Sequence, residues 1–195
     1  MAAGLASPAL NPAGRTRKFR FPRRTQNPAW KEPQRVLFWD YNMQPLRESF
    51  ANIPTAQRLD LAMKVMDWTI QAIGPIEVEA VRSYINAGME AGHTAVRSGQ
   101  EKIPLPEEIL DAYTEIDDQA YEPGTSHVLS ALLACADAPG GLTGEVLYDV
   151  LSYCYEGVLE REDLPLVSLE EERRNARCIE AIDFQQRCIA EAQSA

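Results

Sequence analysis

Two histidines, His93 and His127, and four cysteines, Cys135, Cys154, Cys178 and Cys188, are the residues of this chain suited to imidazole or thiolate chemistry. Glu90-Ala91-Gly92-His93 has the Glu-x-x-His spacing that carboxylate-bridged di-metal bundles use. Such a site needs a second copy of the motif, and the residue three places before His127 is Gly124. Asp117-Asp118 could offer paired carboxylates to a metal-bound diphosphate, but one such pair is a weak signature. Ser126-His127 at a helix start reads as a cap followed by an imidazole. No nucleophile elbow, phosphate-binding loop or dinucleotide fingerprint occurs. The pattern supports no catalytic residue, cofactor or metal ligand, and leaves a helical metalloenzyme built on Glu90 and His93 as the enzymatic alternative.

The cysteines form no CxxC pair and have no histidine at metal-binding spacing. They read as reduced, buried thiols. Cys178 and Cys188, ten residues apart on one helix, would lie roughly 15 Å from each other, too far for a disulfide.

Carboxylates are the abundant chemical groups. Residues 103–160 contain twelve acids and no lysine or arginine in 58 residues. At about 100° per residue, Glu107, Glu108, Asp111, Glu115, Asp118 and Glu122 share an arc of roughly 100° on one helix. Glu145, Asp149, Glu156 and Glu160 share an arc of about 60° on another. Ile109, Tyr113 and Ile116 on the first helix, and Leu147, Val150, Cys154 and Val158 on the second, take the opposite sides. Both acidic stripes therefore face outward, either as ordinary solvated surface or as docking faces for a basic partner.

The N-terminus has the opposite sign. Residues 1–35 carry eight Lys or Arg against the single acid Glu32, a net +7, which leaves −17 on the rest of a chain whose total is −10. Five prolines, Pro8, Pro12, Pro22, Pro28 and Pro33, interrupt helix there and favour extended geometry. In Arg17-Lys18-Phe19-Arg20-Phe21-Pro22-Arg23-Arg24 the rings alternate with cations, so an extended chain would place both phenyl groups on one side. Seven of the fifteen aromatic residues fall in the first fifty, including Trp30, Phe38 and Trp39. A solvated tail would be poor in them. This reads as a docking strap for an anionic surface: protein, lipid head groups or nucleic acid. A short strand is predicted over Val36–Trp39. The absence of acids before Glu32 and the abundance of Ala and Arg also resemble an organelle transit segment. They favour a mitochondrial location, with a cytoplasmic one as the alternative.

The elements that position these groups are helical. Leu59, Ala62, Met63, Met66, Ile70 and Ile73 recur at spacings of three, four and seven from Thr55, and Gly74-Pro75 ends that helix. Further helices are predicted over 76–97, 106–121, 126–136 and 143–161. A sixth begins at the capping box Ser168-Leu169-Glu170-Glu171 and runs to about residue 192. None contains the 18 or more apolar residues that a membrane span needs. Val81-Arg82-Ser83-Tyr84 with Gly88 and Val150-Leu151-Ser152-Tyr153 with Gly157 repeat one pattern, VxSYxxxG, at an offset of 69. At the same offset Leu59 pairs with Val128, Ala62 with Ala131 and Met63 with Leu132.

The expected architecture is all-α. An extended arm over 1–54 precedes an acidic helical domain over 55–195, built as a bundle of about six helices or a short helical-repeat stack; the offset of 69 reads either as duplication of a three-helix unit or as chance similarity between amphipathic helices. The expected function is that of a non-catalytic accessory subunit or adaptor of a larger assembly. Partner-binding residues would be Glu107, Asp111, Glu115, Asp118, Glu122, Glu145, Asp149, Glu156 and Glu160 on the body. On the arm they would be Arg17, Lys18, Phe19, Arg20, Phe21, Arg23, Arg24, Trp30, Phe38 and Trp39. An immunity-type inhibitor, whose acidic face neutralises a basic toxin or nuclease, is the alternative from another class.

Overall fold

Residues 36–164 and 168–194 are described in the computed structural model. All of them belong to one compact unit, Arg35–Ala195. Among them the elements are α1 (Phe38–Met43), a 3-10 helix (Gln44–Asn52), α2 (Thr55–Ile73), α3 (Glu79–Arg97), α4 (Glu107–Asp117), α5 (Thr125–Ala136), α6 (Gly144–Arg161), α7 (Leu169–Arg174) and α8 (Ala176–Ser194). The fold is all-helical, as the periodicity predicts, and no strand occurs among the described residues.

The predicted strand over Val36–Trp39 gives way to a helix that starts at Phe38. The Asp40 carboxylate accepts the Leu37 N–H at 2.8 Å, and Asp40 N–H donates to the Leu37 carbonyl at 3.1 Å, so the chain closes a turn there. Trp39 and Met43, four apart, are then both fully buried. Pro45 opens the 3-10 helix in the first-turn position where its missing N–H costs nothing. Residues 38–52 are thus helical rather than extended, and Trp39, Met43, Phe50 and Ile53 sit in the core.

Two bonds hold α1 to the far end of the chain. The Trp39 indole N–H donates to Gln185 Oε1 at 2.7 Å, and Gln185 Nε2 donates to the Leu151 carbonyl at 3.0 Å. The Phe38 N–H and the Tyr155 hydroxyl both donate to Glu172 Oε2 at 2.9 Å. Gln185 and Glu172 are each 1% exposed, so their polar atoms depend on these partners. Leucine at 185 would leave the indole N–H without an acceptor. Gln185→Leu is expected to lower stability by about 1–3 kcal/mol in urea unfolding.

The packing has the internal symmetry that the offset of 69 implies. α2 packs on α3 as α5 packs on α6; α3 meets α4 as α6 meets α8; α4 lies on α5 as α8 lies on α2. The cross pair α2 with α6 maps onto α5 with α3. Helices α4 and α8 begin at 107 and 176, again 69 apart. Matched positions share their burial: Leu59 and Val128, Ala62 and Ala131, and Val81 and Val150 are all fully buried. Two three-helix units, α2–α4 and α5, α6, α8, therefore interleave around one core rather than stacking end to end. The N-terminal segment breaks this symmetry, because the 3-10 helix covers α6 and nothing described covers α3 in the same way.

The long final helix predicted from Ser168 is interrupted at Asn175, whose backbone is extended (φ −75°, ψ 120°). Its Oδ1 accepts the N–H groups of Arg177 and Cys178 at 2.8 and 2.9 Å and starts α8 afresh. Among the described residues no helix is long and apolar enough to cross a membrane.

Candidate docking surface on the acidic helix faces

Helix α4 follows Pro106, and Glu107 and Glu108 occupy its first turn, where the helix dipole favours negative charge. Its inner side is tied down by three polar bonds. The Tyr84 hydroxyl donates to the Ile109 carbonyl at 3.1 Å, Tyr113 Oη and Ser130 Oγ lie 3.2 Å apart, and Ser126 Oγ donates to Asp117 Oδ1 at 2.7 Å. Burial pushes the Tyr84 phenol up to about 12, so it remains a donor at neutral pH. This fixes the rotation of α4 and turns Glu107, Glu108, Asp111, Glu115 and Asp118 outward, where all five are exposed. None of the five pairs with a basic residue among the described residues.

Glu122 leaves this face. The helix ends at Asp117, and the chain then turns through Gln119 and Ala120, whose N–H groups donate back to Ile116 and Asp117. The half-buried Glu122 carboxylate swings toward the start of α3, where Oε1 accepts the Glu77 N–H at 2.7 Å and Oε2 is buried without a hydrogen bond. Pro123 further disfavours a helical backbone at Glu122.

The stripe on α6 is engaged by the protein itself. Glu145 is paired with Arg47, whose guanidinium hydrogen bond holds that carboxyl below its usual range and whose Cζ lies 4.6 Å from the Tyr148 ring centre. Glu156 is half-buried and accepts the Ser152 hydroxyl at 2.9 Å. Glu160 accepts the Gly124 N–H at 2.8 Å and lies 3.7 Å from His127 Nε2. Asp149 is exposed and also interacts with another group. These carboxylates anchor neighbouring backbone and side chains. Among the described residues, the α4 face is the one left open.

Of the predicted arm residues, Arg17, Lys18, Phe19, Arg20, Phe21, Arg23, Arg24 and Trp30 lie outside the described residues. Trp39 is not a surface anchor: it is fully buried, with its ring 4.8 Å from Tyr148 and 6.5 Å from Tyr155. Phe38 is half-buried, and the Arg173 guanidinium lies 5.7 Å from its ring and 5.5 Å from Tyr41. Position along the chain groups Phe38 and Trp39 with the arm; only the long-range partners, Glu172 for the Phe38 N–H and Gln185 for the Trp39 indole, reveal that α1 is fastened to the body with Trp39 in its core. A second aromatic contact had no sequence signal. Trp68 and Phe184 stack at 5.4 Å across α2 and α8, with Arg187 5.9 Å from Phe184.

The remaining candidate chemistry is dispersed. His93 Nε2 lies 3.1 Å from Asp67 Oδ1, and Glu90 is exposed. No three His, Cys, Asp or Glu side chains gather as a metal cluster among the described residues. All four thiols are free and buried, and burial pushes Cys154 up to about 12 and Cys178 up to about 11. Such thiols are poor nucleophiles at neutral pH. Compared with protein-family models, curated proteins and solved structures, the chain matches none of them.

Proposed function

We propose that this chain is a non-catalytic accessory subunit or adaptor of a larger protein assembly, and that it presents the outer face of α4 to a basic partner. The observation that supports this most is the set of five exposed carboxylates, Glu107, Glu108, Asp111, Glu115 and Asp118, with no basic partner among the described residues. Like charges held together on one face oppose folding, and a partner of opposite sign relieves them while steering its own approach. The α6 carboxylates play a different part, because Arg47, Ser152 and the Gly124 N–H already occupy three of them.

The test is partner capture from native extract with the full-length protein, followed by binding kinetics on the partner identified. Replacing all five carboxylates by their amides is expected to slow association by about 10-fold or more at low salt while changing dissociation little. Unchanged association in that variant would sink the docking face. Because every one of these carboxylates lies on the helical unit, the immunity-type inhibitor remains the second reading. Deletion of residues 1–35 separates the two, because an assembly subunit also grips its neighbours through this strap and loses them, whereas an inhibitor needs only the acidic face and keeps its partner. The mitochondrial location is proposed on the arm's composition alone, and residues 1–35 fused to a fluorescent reporter test it by imaging.

A further inference from the structure

Among the described helices, α4 alone contains no buried residue. Ile109, Leu110, Tyr113 and Ile116 on its inner side are only half-buried. Its counterpart in the internal repeat, α8, buries Cys178, Ala181, Ile182, Gln185, Cys188 and Ile189. Hydrophobic attachment of α4 is correspondingly weak, and three side-chain hydrogen bonds, through Tyr84, Tyr113 and Asp117, supplement it.

The charge on the helix works against it. Glu107 and Asp111, and Asp111 and Glu115, are like-charged pairs four residues apart, each of which opposes helix formation. Glu115 and Asp117 lie near the C-terminal end, where the dipole disfavours anions, and no basic residue occupies the last turn. The flanks, by contrast, are fixed. Ile103 is 1% exposed and donates its N–H to the Cys135 carbonyl at 3.1 Å, and Thr125 is 1% exposed. Between these anchors lie Pro104, Pro106, Pro123 and Gly124, the last with φ +89°.

We infer that α4 opens as a separate unit between Ile103 and Thr125, and that the carboxylates on its outer face set how often it does so. Opening uncovers the seam of α3 and α5 and frees Tyr84, Ser126 and Ser130 from their α4 partners. A basic partner seated on the outer face would hold α4 closed, a consequence that rests on the proposed function. The opening itself does not.

Hydrogen exchange followed by mass spectrometry on the full-length protein tests this. Peptides covering 109–120 are expected to exchange about 100-fold or more faster than those from the centres of α5 and α6. The double substitution Asp111→Asn with Glu115→Gln removes both like-charged pairs and is expected to slow exchange in α4 about 2- to 5-fold, leaving α5 and α6 unchanged. Tyr84→Phe, which loses the bond to the Ile109 carbonyl, is expected to speed it about 5-fold. Protection of α4 equal to that of α6 would overturn the inference, as would a double variant that exchanges like the parent. A lysine decamer that leaves α4 exchange unchanged, while the double variant slows it, would count against the docking face and leave the opening established.

Discussion

Replacing Trp39 with alanine lowers the free energy of unfolding by about 3–5 kcal/mol, read from urea denaturation of the full chain. The indole is fully buried, makes an edge contact with Tyr148 and a stacked one with Tyr155, and donates to Gln185. Truncation therefore removes a large apolar volume and leaves Gln185 Oε1 without its donor. Trp39→Phe keeps most of the ring and isolates the second effect, with an expected loss of about 1–3 kcal/mol. The consequence reaches beyond one side chain, because Trp39 joins α1 to α6 and α8. If the alanine variant lost less than about 1 kcal/mol, the N-terminal helices would be an appendage rather than part of the core.

That result would bear on a place where local pattern misleads. Val36 to Phe50 follows a proline-rich, basic stretch, and its aromatics sit close enough together to look like the end of the same strap. The long-range bonds that hold this stretch lie 134 and 146 positions away, where Glu172 accepts the Phe38 N–H and Gln185 accepts the indole N–H of the buried Trp39. No periodicity over a dozen residues carries such information. Helix α2 is the opposite case. Leu59, Ala62, Met63, Met66 and Ile73 fall at helical spacing in the sequence and are all buried in the structure, because one continuous face meets α3, α6 and α8. The break at Asn175 lies between these extremes. No glycine or proline marks it in the helix-compatible run of Glu and Arg residues, and the competition of its own side chain for the N–H groups of Arg177 and Cys178 divides the helix.

The acidic stripes were legible as faces but not as surfaces. Angular arithmetic places Glu145, Asp149, Glu156 and Glu160 together on α6. What the arithmetic omits is the neighbours: Arg47 from the 3-10 helix and the Gly124 N–H before α5. On α4 the same arithmetic succeeds as far as Asp118 and fails at Glu122, where the helix has already ended. Charge in this molecule thus does two jobs. On α6 it fixes the packing of adjacent segments. On α4 it remains available, and it loosens the helix that carries it.

Gly124→Ala is expected to cost about 2–5 kcal/mol, the sum of a left-handed backbone penalty and an overpacked contact. At φ +89° the backbone lies where alanine is strained, and an added Cβ would stand 2.6 Å from the Gly157 carbonyl oxygen and 2.9 Å from Ile73 Cγ2. Backbone cannot retreat as a side-chain tip can. Two comparisons separate the contributions in thermal or urea unfolding. Gly140 has φ +78° and an added Cβ there would meet nothing within 4 Å, so Gly140→Ala reports the backbone penalty alone, about 1–2 kcal/mol. Gly88 and Gly157 are the repeated glycines of VxSYxxxG, yet they face different obstacles. At Gly88 the nearest atoms are the Leu132 methyls at 3.1 and 3.2 Å, which can shift, whereas Gly157 lies against the Gly124 carbonyl oxygen at 3.2 Å. Gly88→Ala should then be the milder of the two, by about 1 kcal/mol or more. Equal losses would mean that the two halves of the repeat approach their partners alike. A larger loss at Gly157 would show that the closest backbone approach in the pair is confined to the crossing of α6 with the start of α5.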